Sequence, residues 1–288
     1  MYQLVINGLT MGCIYALIAF GFILIYNAVG AVNFAQGDLV MAGSYFGVLG
    51  VGLLGLDLIS AMLVVVLGSA AVGYVFQRLA YYPLRDGPTI NVVISCLGAG
   101  IFLRNAAQNL AGPEPYTMKP FFDTELVHVS GLTIPSQSIF IAVLTVILFA
   151  VQYWFFFRTN VGRMLRATAN DKYAARLTGI PVRRMIALAF VISGVMAGMA
   201  GFALVPIFLA SPNMGFGLVV KAWIGVVIGG FGSVPGAIVG GIIVGLLETF
   251  TASLISSDYK DVITMMVLLA VLFLRPQGIF SESVQEKV

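Results

Sequence analysis

The chain has 288 residues, of which 60% are hydrophobic and 9% are charged, and its mean hydropathy is +1.02. Because soluble domains carry about 25% charged residues, this composition excludes an ordinary soluble enzyme and predicts a polytopic α-helical membrane protein. The net charge of +3 does not indicate nucleic-acid binding, since the positive charge is concentrated in one short loop.

Apolar runs predict the membrane-spanning helices of a single transmembrane domain over residues 1–288. The runs lie at about residues 4–26, 37–56, 59–79, from 90 onward, 139–157, 185–206 and 259–274. Each longer run contains the ~20 apolar residues that a helix needs to cross the hydrocarbon core. Together with the stretch at 218–252, they predict about eight transmembrane segments.

Three polar residues lie where the first run meets the second. Asn33, Gln36 and Asp38 surround a Gly-rich sequence that is too polar for an unbroken helix. Polar side chains inside a membrane are costly and are often functional, so these residues are candidates for the translocation pathway. Asp38 has a second interpretation, which we favour, as the N-cap of the second helix.

The fourth apolar run stops early at Arg104. In a continuing helix, Arg104 shares one face with Asn105, Gln108 and Asn109. This face either meets a partner protein or carries side chains that extend to the membrane interface.

Residues 218–252 are too long for one span and too short for two complete spans with a turn. A Gly-rich interruption divides this apolar stretch and predicts two half-helices in a re-entrant hairpin. Its glycines Gly229, Gly230, Gly232 and Gly236 are pathway candidates, although each of them alone is more typical of close helix packing. Glu248, late in the same stretch, either lines a cavity, bonds a neighbouring helix or reaches the outer interface. Lys221 is interpreted as an interface anchor.

The basic loop at residues 158–184 determines the predicted orientation. It contains seven of the fifteen basic residues and one acid, Asp171, so the positive-inside rule places it in the cytoplasm. Counting outward from it, residues 112–138 lie outside, and Arg78 and Arg85 lie inside. The segment around Gln36 falls near the cytoplasmic side. If residues 218–252 form a hairpin, Arg275 also lies inside.

A short helix is predicted within this loop. Asn170 or Asp171 can cap its start, and Gly179 can take the position that follows its last turn. Such a short helix is marginal in water unless it docks on another surface.

The sequence resembles the membrane permeases of branched-chain amino acid ABC transporters, the LivH-type family. The resemblance rests on NFAQGDLVMAGSY, on GRMLRATANDKYAARLTGI and on VVIGGFGSVPGAIVGGIIVGLLE, in that order along the chain. In ABC importer permeases, a loop with the pattern glutamate-alanine-alanine-x-x-x-glycine docks on the ATPase. Here the pattern reads Tyr173-Ala174-Ala175, three residues and Gly179. The resemblance therefore implies an ATPase-coupling surface that contains Gly162, Arg163, Arg166, Asn170, Asp171, Ala174, Ala175 and Gly179.

The same resemblance implies an importer assembled from several chains in a bacterial inner membrane. The expected partners are a second related permease in a heterodimer, two cytoplasmic ATPase subunits, an extracytoplasmic solute-binding protein and membrane lipid. The chain has no Gly-rich phosphate loop, so ATP is expected on the partner subunits and no cofactor or enzymatic activity in this chain. The chain has one histidine, and its two cysteines lie inside apolar runs, so the sequence predicts no metal site. The alternatives are an ion-coupled secondary transporter and an ABC permease for urea or amides.

Overall fold

The computed structural model describes residues 1–118, 121–122, 126–129 and 132–280, and most of these residues are α-helical. The helices are α1 (Tyr2–Val29), α2 (Gln36–Gly47), α3 (Leu58–Phe76), α4 (Thr89–Ala111), α5 (Ser136–Arg158), α6 (Asn160–Asn170), α7 (Lys172–Leu177), α8 (Val182–Leu204), α9 (Met214–Gly229), α10 (Val234–Leu254) and α11 (Lys260–Leu274). Helical turns of the π type extend α2 through Leu53 and α3 through Tyr81, and a 3-10 turn follows at Tyr82–Leu84.

Six helical stretches in the described part of the chain are long and apolar enough to cross a membrane. They are Tyr2–Val29, Leu58–Leu84, Thr89–Ala111, Ser136–Arg158, Val182–Leu204 and Val234–Leu254, and α9 is a shorter apolar helix. The predicted α-helical polytopic fold is therefore confirmed. The last eight residues of the predicted domain, 281–288, lie outside the described residues.

Helix α1 lies at the centre of the packing. α1 and α8 are largely buried, whereas α3, α4 and α5 leave most of their residues half-buried or exposed, as expected for helices that face lipid. Glycines bring α1 and α10 into backbone contact, because a side chain at Gly12 would lie within 2.8 Å of the Ile242 Cα atom. Similar contact joins α2 to α8 at Gly43 and Gly198. Small residues at such crossings are the usual means by which membrane helices associate closely.

The connection between α1 and α2 turns back into the protein. α1 ends at Val29, and Gly30 takes the left-handed conformation with φ +78°. Gln36, the first residue of α2, lies against Gly21 of α1. Gly21 and Val29 are eight positions apart, which corresponds to about 12 Å along a helix. The expected break in this region is confirmed, and the Gln36 side chain reaches back along α1 from its end.

Helices α9 and α10 form the predicted Gly-broken hairpin. The turn between them contains Gly230 and Gly232 at φ +110° and +91°, conformations that favour glycine. Ser233 caps the start of α10 by accepting a hydrogen bond from the Gly236 N–H. With 21 residues, α10 is longer than the predicted half-helix and reaches the length of a span, because the hairpin continues to Leu254.

The tip of this hairpin lies beside the C-terminal end of α1. The Asn27 side-chain amide donates to the Gly232 carbonyl at 3.0 Å. After α11, the chain returns to the same place: the Ile279 and Phe280 N–H groups donate to the Ile228 and Gly229 carbonyls at 3.0 and 2.9 Å. α11 therefore ends on the same side of the molecule as α1, as the hairpin interpretation requires.

A small β-structure lies in the segment that the sequence placed outside. Strands β1 (Leu126–Val129) and β2 (Leu132–Pro135) pair antiparallel, and an isolated bridge joins Tyr116 to Ala210. The sequence did not predict this hairpin.

Candidate functional site

The basic loop at residues 158–184 contains two helices, of which the sequence predicted only the second. The hydroxyl oxygen of Thr159 caps α6 by accepting a hydrogen bond from the Gly162 N–H at 3.0 Å. Gly162 lies against the backbone of Phe155 and Phe156, where a larger residue would clash. α6 therefore folds tightly against the end of α5.

Helix α7 is capped at both ends. The Asp171 carboxylate accepts hydrogen bonds from the Tyr173 and Ala174 N–H groups at 2.8 and 3.0 Å, whereas Asn170 is the last residue of α6. Gly179 has φ +81°, and the next N–H, that of Ile180, donates to the Ala175 carbonyl at 3.0 Å. Of the two predicted caps, Asp171 is the one observed, and Gly179 is in the predicted position.

One face of α7 is attached to the membrane part of the protein. Ala175 is 4% exposed and belongs to a buried cluster with Ile25, Ala35 and Val182. The Lys172 ammonium group donates to the Val29 carbonyl, at the end of α1, at 2.7 Å. Burial and the neighbouring Arg176 lower the pKa of Lys172 from its ordinary value. Movement of α7 is thus tied to the end of α1.

The opposite face of α7 presents apolar side chains to solvent. Tyr173 and Leu177 are each 73% exposed, and their spacing of four places them on one helical face. The sequence-based set of coupling residues did not contain them, although an i, i+4 apolar pair on a helix outside the membrane is the signal that could have found them. The predicted coupling residues Arg163, Arg166, Asn170, Ala174 and Gly179 are also exposed, whereas Gly162 and Ala175 point inward.

A buried polar group lies at the start of α2. Gln36 is 0% exposed, and the Ser193 hydroxyl of α8 lies 3.0 Å from its side-chain oxygen and 2.8 Å from the Gly21 carbonyl. One hydroxyl proton can serve either acceptor. Asn33 is 1% exposed and accepts a hydrogen bond from the Ala35 N–H, while its amide nitrogen has no hydrogen-bond partner within the described residues. An unpaired buried donor is costly, so this group retains capacity to bind a polar partner.

Asp38 forms a buried ion pair with Arg104. Two guanidinium nitrogens of Arg104 donate to one carboxylate oxygen of Asp38 at 3.1 and 3.0 Å. The interpretation of Asp38 as the N-cap is wrong, because Ala35 occupies that position and Asp38 lies in the first turn of α2. Arg104 likewise turns inward. Asn105 and Asn109 instead donate to carbonyls of α4 itself.

Glu248 lies at the centre of a second polar cluster, which joins four helices. Its carboxylate accepts hydrogen bonds from the Tyr15 hydroxyl and from Lys221, and Lys260 lies 3.2 Å away. Lys221 also pairs with Asp261 at 3.2 Å. Of the alternatives for Glu248, bonding to neighbouring helices is observed, and the cluster also borders a cavity of about 400 Å³. Lys221, interpreted as an interface anchor, pairs both with the buried Glu248 and with Asp261, whose side chain is 67% exposed.

The structure divides the predicted pathway residues among three places. Asn33, Gln36 and Asp38 lie together at the start of α2, and Glu248 lies in the cluster with Tyr15. Gly230 and Gly232 form the hairpin turn, while Gly229 and Gly236 pack backbone to backbone where α9 and α10 meet. The packing explanation therefore accounts for these two glycines individually.

Sequence comparison relates this arrangement to known proteins. Residues 4–272 match the family described as the permease component of the branched-chain amino acid transport system. The chain belongs to this family. BraD of Pseudomonas aeruginosa, the permease protein of a high-affinity branched-chain amino acid transport system, is 36% identical, with 99% of this chain and 97% of the relative covered. The LivH permease of Escherichia coli K12 is 34% identical over the same shares.

Solved structures support the fold of this family member. The chain is similar, with a TM-score of 0.54 and 14% identity, to a metal-chelate type ABC transporter solved in an inward-facing conformation. The similarity covers 93% of this chain and 85% of the other. At this identity it shows a common fold and carries no information on the transported solute.

Proposed function

We propose that this protein is the permease subunit of an ABC importer that moves branched-chain amino acids across a bacterial inner membrane into the cytoplasm. Cytoplasmic ATPase subunits supply the energy, a second related permease completes the membrane channel, and an extracytoplasmic protein delivers the solute. Family membership and the names of the relatives support the solute class. The chain itself provides the path and the surface through which ATP hydrolysis acts on it.

The exposed face of α7 is the observation that carries this proposal. Isolated helices of six residues are unstable in water, yet α7 is capped at both ends and attached to α1. It nevertheless leaves Tyr173 and Leu177 in solvent. Burial of two such side chains in a groove of the ATPase is favourable by about 1.5–3 kcal/mol for each, and the nearby Arg163 and Arg166 supply charges for a polar rim.

The attachment of α7 to α1 provides a route from the ATPase to the membrane interior. A displacement of α7 acts on the end of α1 through Lys172 and on the segment before α2 through Ala175, which shares its cluster with Ala35. That segment leads directly to Gln36 and Asp38. We infer that the start of α2 is the element whose position changes as the ATPases close and open.

Reconstitution tests this function. Proteoliposomes containing both permeases, the ATPases and the binding protein are expected to accumulate leucine only with ATP. Leu177→Asp should abolish co-purification of the ATPase and ATP-driven uptake, since the docking face would carry an unpaired charge. Leu110→Asp is the matched control, because Leu110 is 89% exposed at the outer end of α4. Uptake without ATP, or equal effects of the two substitutions, would overturn the proposal.

A further inference from the structure

A basic pocket lies on the cytoplasmic face, beside the α7 docking face. It has a volume of about 350 Å³ and lies between the turn that follows α3 and the start of α8. Four cationic side chains line it, those of Arg85, Lys172, Arg176 and Arg183, and Asp86 is the one acid among its lining residues. Two of the four, Lys172 and Arg176, belong to α7, whereas Arg85 and Arg183 lie outside the surface through which the ATPase is proposed to dock.

The positive charges of this region are held together by an aromatic ring. The guanidinium groups of Arg85 and Arg183 each lie 4.0 Å from the centre of the Tyr82 ring, and that of Arg78 lies 4.7 Å from it. Cation–π attraction favours each contact alone, but three like charges around one ring repel one another. Such an arrangement is stable when an anion neutralises it.

The acid already present supplies little of that neutralisation. Asp86 contacts Arg85 at 3.1 Å, but its own side chain is 81% exposed, so water screens the pair. Across the pocket, Lys172 is partly buried with Arg176 as its neighbour, and both factors lower its pKa, as expected where positive charges lie close together. The pocket therefore has unused capacity for an anion with several acceptor oxygens.

The surroundings of the pocket favour a lipid over a soluble anion. Tyr81, Val182 and Ile186 give it an apolar wall. On α3, just before the pocket, Tyr74 and Leu79 are 52% and 70% exposed, as expected for side chains in contact with acyl chains. The orientation given by the positive-inside rule places this end of α3 at the level of the cytoplasmic head groups. Basic pockets between membrane helices on that side are typical sites for anionic head groups.

We propose that this pocket binds the phosphate of an anionic phospholipid, with Arg85, Arg176 and Arg183 around the phosphate and the apolar wall against the glycerol end of the acyl chains. Arginine suits this role because its planar guanidinium group can donate two hydrogen bonds to one phosphate. The bound lipid would hold the loop after α3 against the start of α7 and α8.

Native mass spectrometry of the purified chain, titrated with phosphatidylglycerol or phosphatidylcholine, tests the proposal. We expect phosphatidylglycerol to bind preferentially, and we expect Arg183→Gln to weaken that binding about tenfold or more, since one charge-assisted hydrogen-bonding group is lost. The control Arg158→Gln removes the same charge from an exposed residue at the end of α5 and should leave binding unchanged. A second variant, Arg176→Gln, repeats the test at another arginine of the pocket. It leaves the contacts of Arg78, Arg85 and Arg183 with the Tyr82 ring unchanged.

Three outcomes would overturn the proposal. The first is equal binding of phosphatidylglycerol to the parent chain and to both pocket variants. The second is displacement of the lipid by millimolar inorganic phosphate, which would make this a site for free anions. The third is a loss of ATPase association in lipid-free detergent on Arg183→Gln, which would assign the pocket to acidic side chains of the ATPase.

Discussion

The ion pair between Asp38 and Arg104 predicts an asymmetric response to substitution. The Asp38 side chain is 6% exposed and that of Arg104 is 29% exposed. Arg104→Met leaves a buried carboxylate without a partner, which should lower the free energy of unfolding by about 3–5 kcal/mol. Asp38→Asn leaves an arginine that can turn toward the membrane surface, so we expect a loss of about 1–2 kcal/mol.

The double variant provides the decisive comparison. With both charges removed, no uncompensated ion remains in the interior, so the combined substitution should cost less than Arg104→Met alone. The free energies can be measured by unfolding the purified protein in mixed micelles with increasing dodecyl sulfate, followed by circular dichroism. The exposed pair Arg85–Asp86 has the same 3.1 Å separation, and Arg85→Met should cost no more than about 1 kcal/mol. Equal losses for Arg104→Met and Arg85→Met would show that burial does not determine the effect.

Three further predictions concern other contacts. Gly43→Leu forces a side chain into the backbone of Gly198 and should destabilise the protein by about 1–3 kcal/mol or more in the same unfolding assay. The control Gly217→Leu places the same side chain at a glycine with open space around it and should not destabilise the protein. Glu248→Gln removes the charge that faces Lys221 and should cost about 2–3 kcal/mol; an unchanged unfolding curve would show that the cluster with Tyr15 is not stabilising. Asp171→Ala removes the cap of α7, so it should lower the free energy of unfolding by about 1 kcal/mol and weaken ATPase co-purification. Asn170→Ala should leave the free energy of unfolding unchanged, and the reverse order of the two unfolding effects would contradict the assignment of the cap.

The sequence predicted the elements whose signals are local. Long apolar runs gave the membrane helices, because each run must satisfy its backbone hydrogen bonds within one helix. The cap at Asp171 and the turn at Gly179 depend on residues within a few positions of each other. The orientation rests on the concentration of arginines, since the rule requires only a count of charges in a loop, and it stays a prediction.

Contacts between distant residues were not predictable from these signals. Asp38 and Arg104 are 66 positions apart, and nothing in either local sequence identifies the other as its partner. Tyr15 was not singled out because it lies in an apolar run, although a buried tyrosine hydroxyl usually requires a hydrogen-bond partner. Helix α6 was not predicted because its segment was interpreted from its arginine content and not from the helical spacing of its apolar residues. The roles of these residues in coupling and translocation stay predictions.

The hydrogen bonds from Ile279 and Phe280 to the end of α9 have a consequence for biosynthesis. The carbonyls of Ile228 and Gly229 belong to a helix end that has no further turn to pair with, and their donors lie about fifty positions later in the chain. During synthesis, this helix end therefore acquires these hydrogen-bond partners only after about fifty further residues have been translated. A truncation before Ile279 should leave an expressed, inserted protein whose hairpin tip is open to proteases.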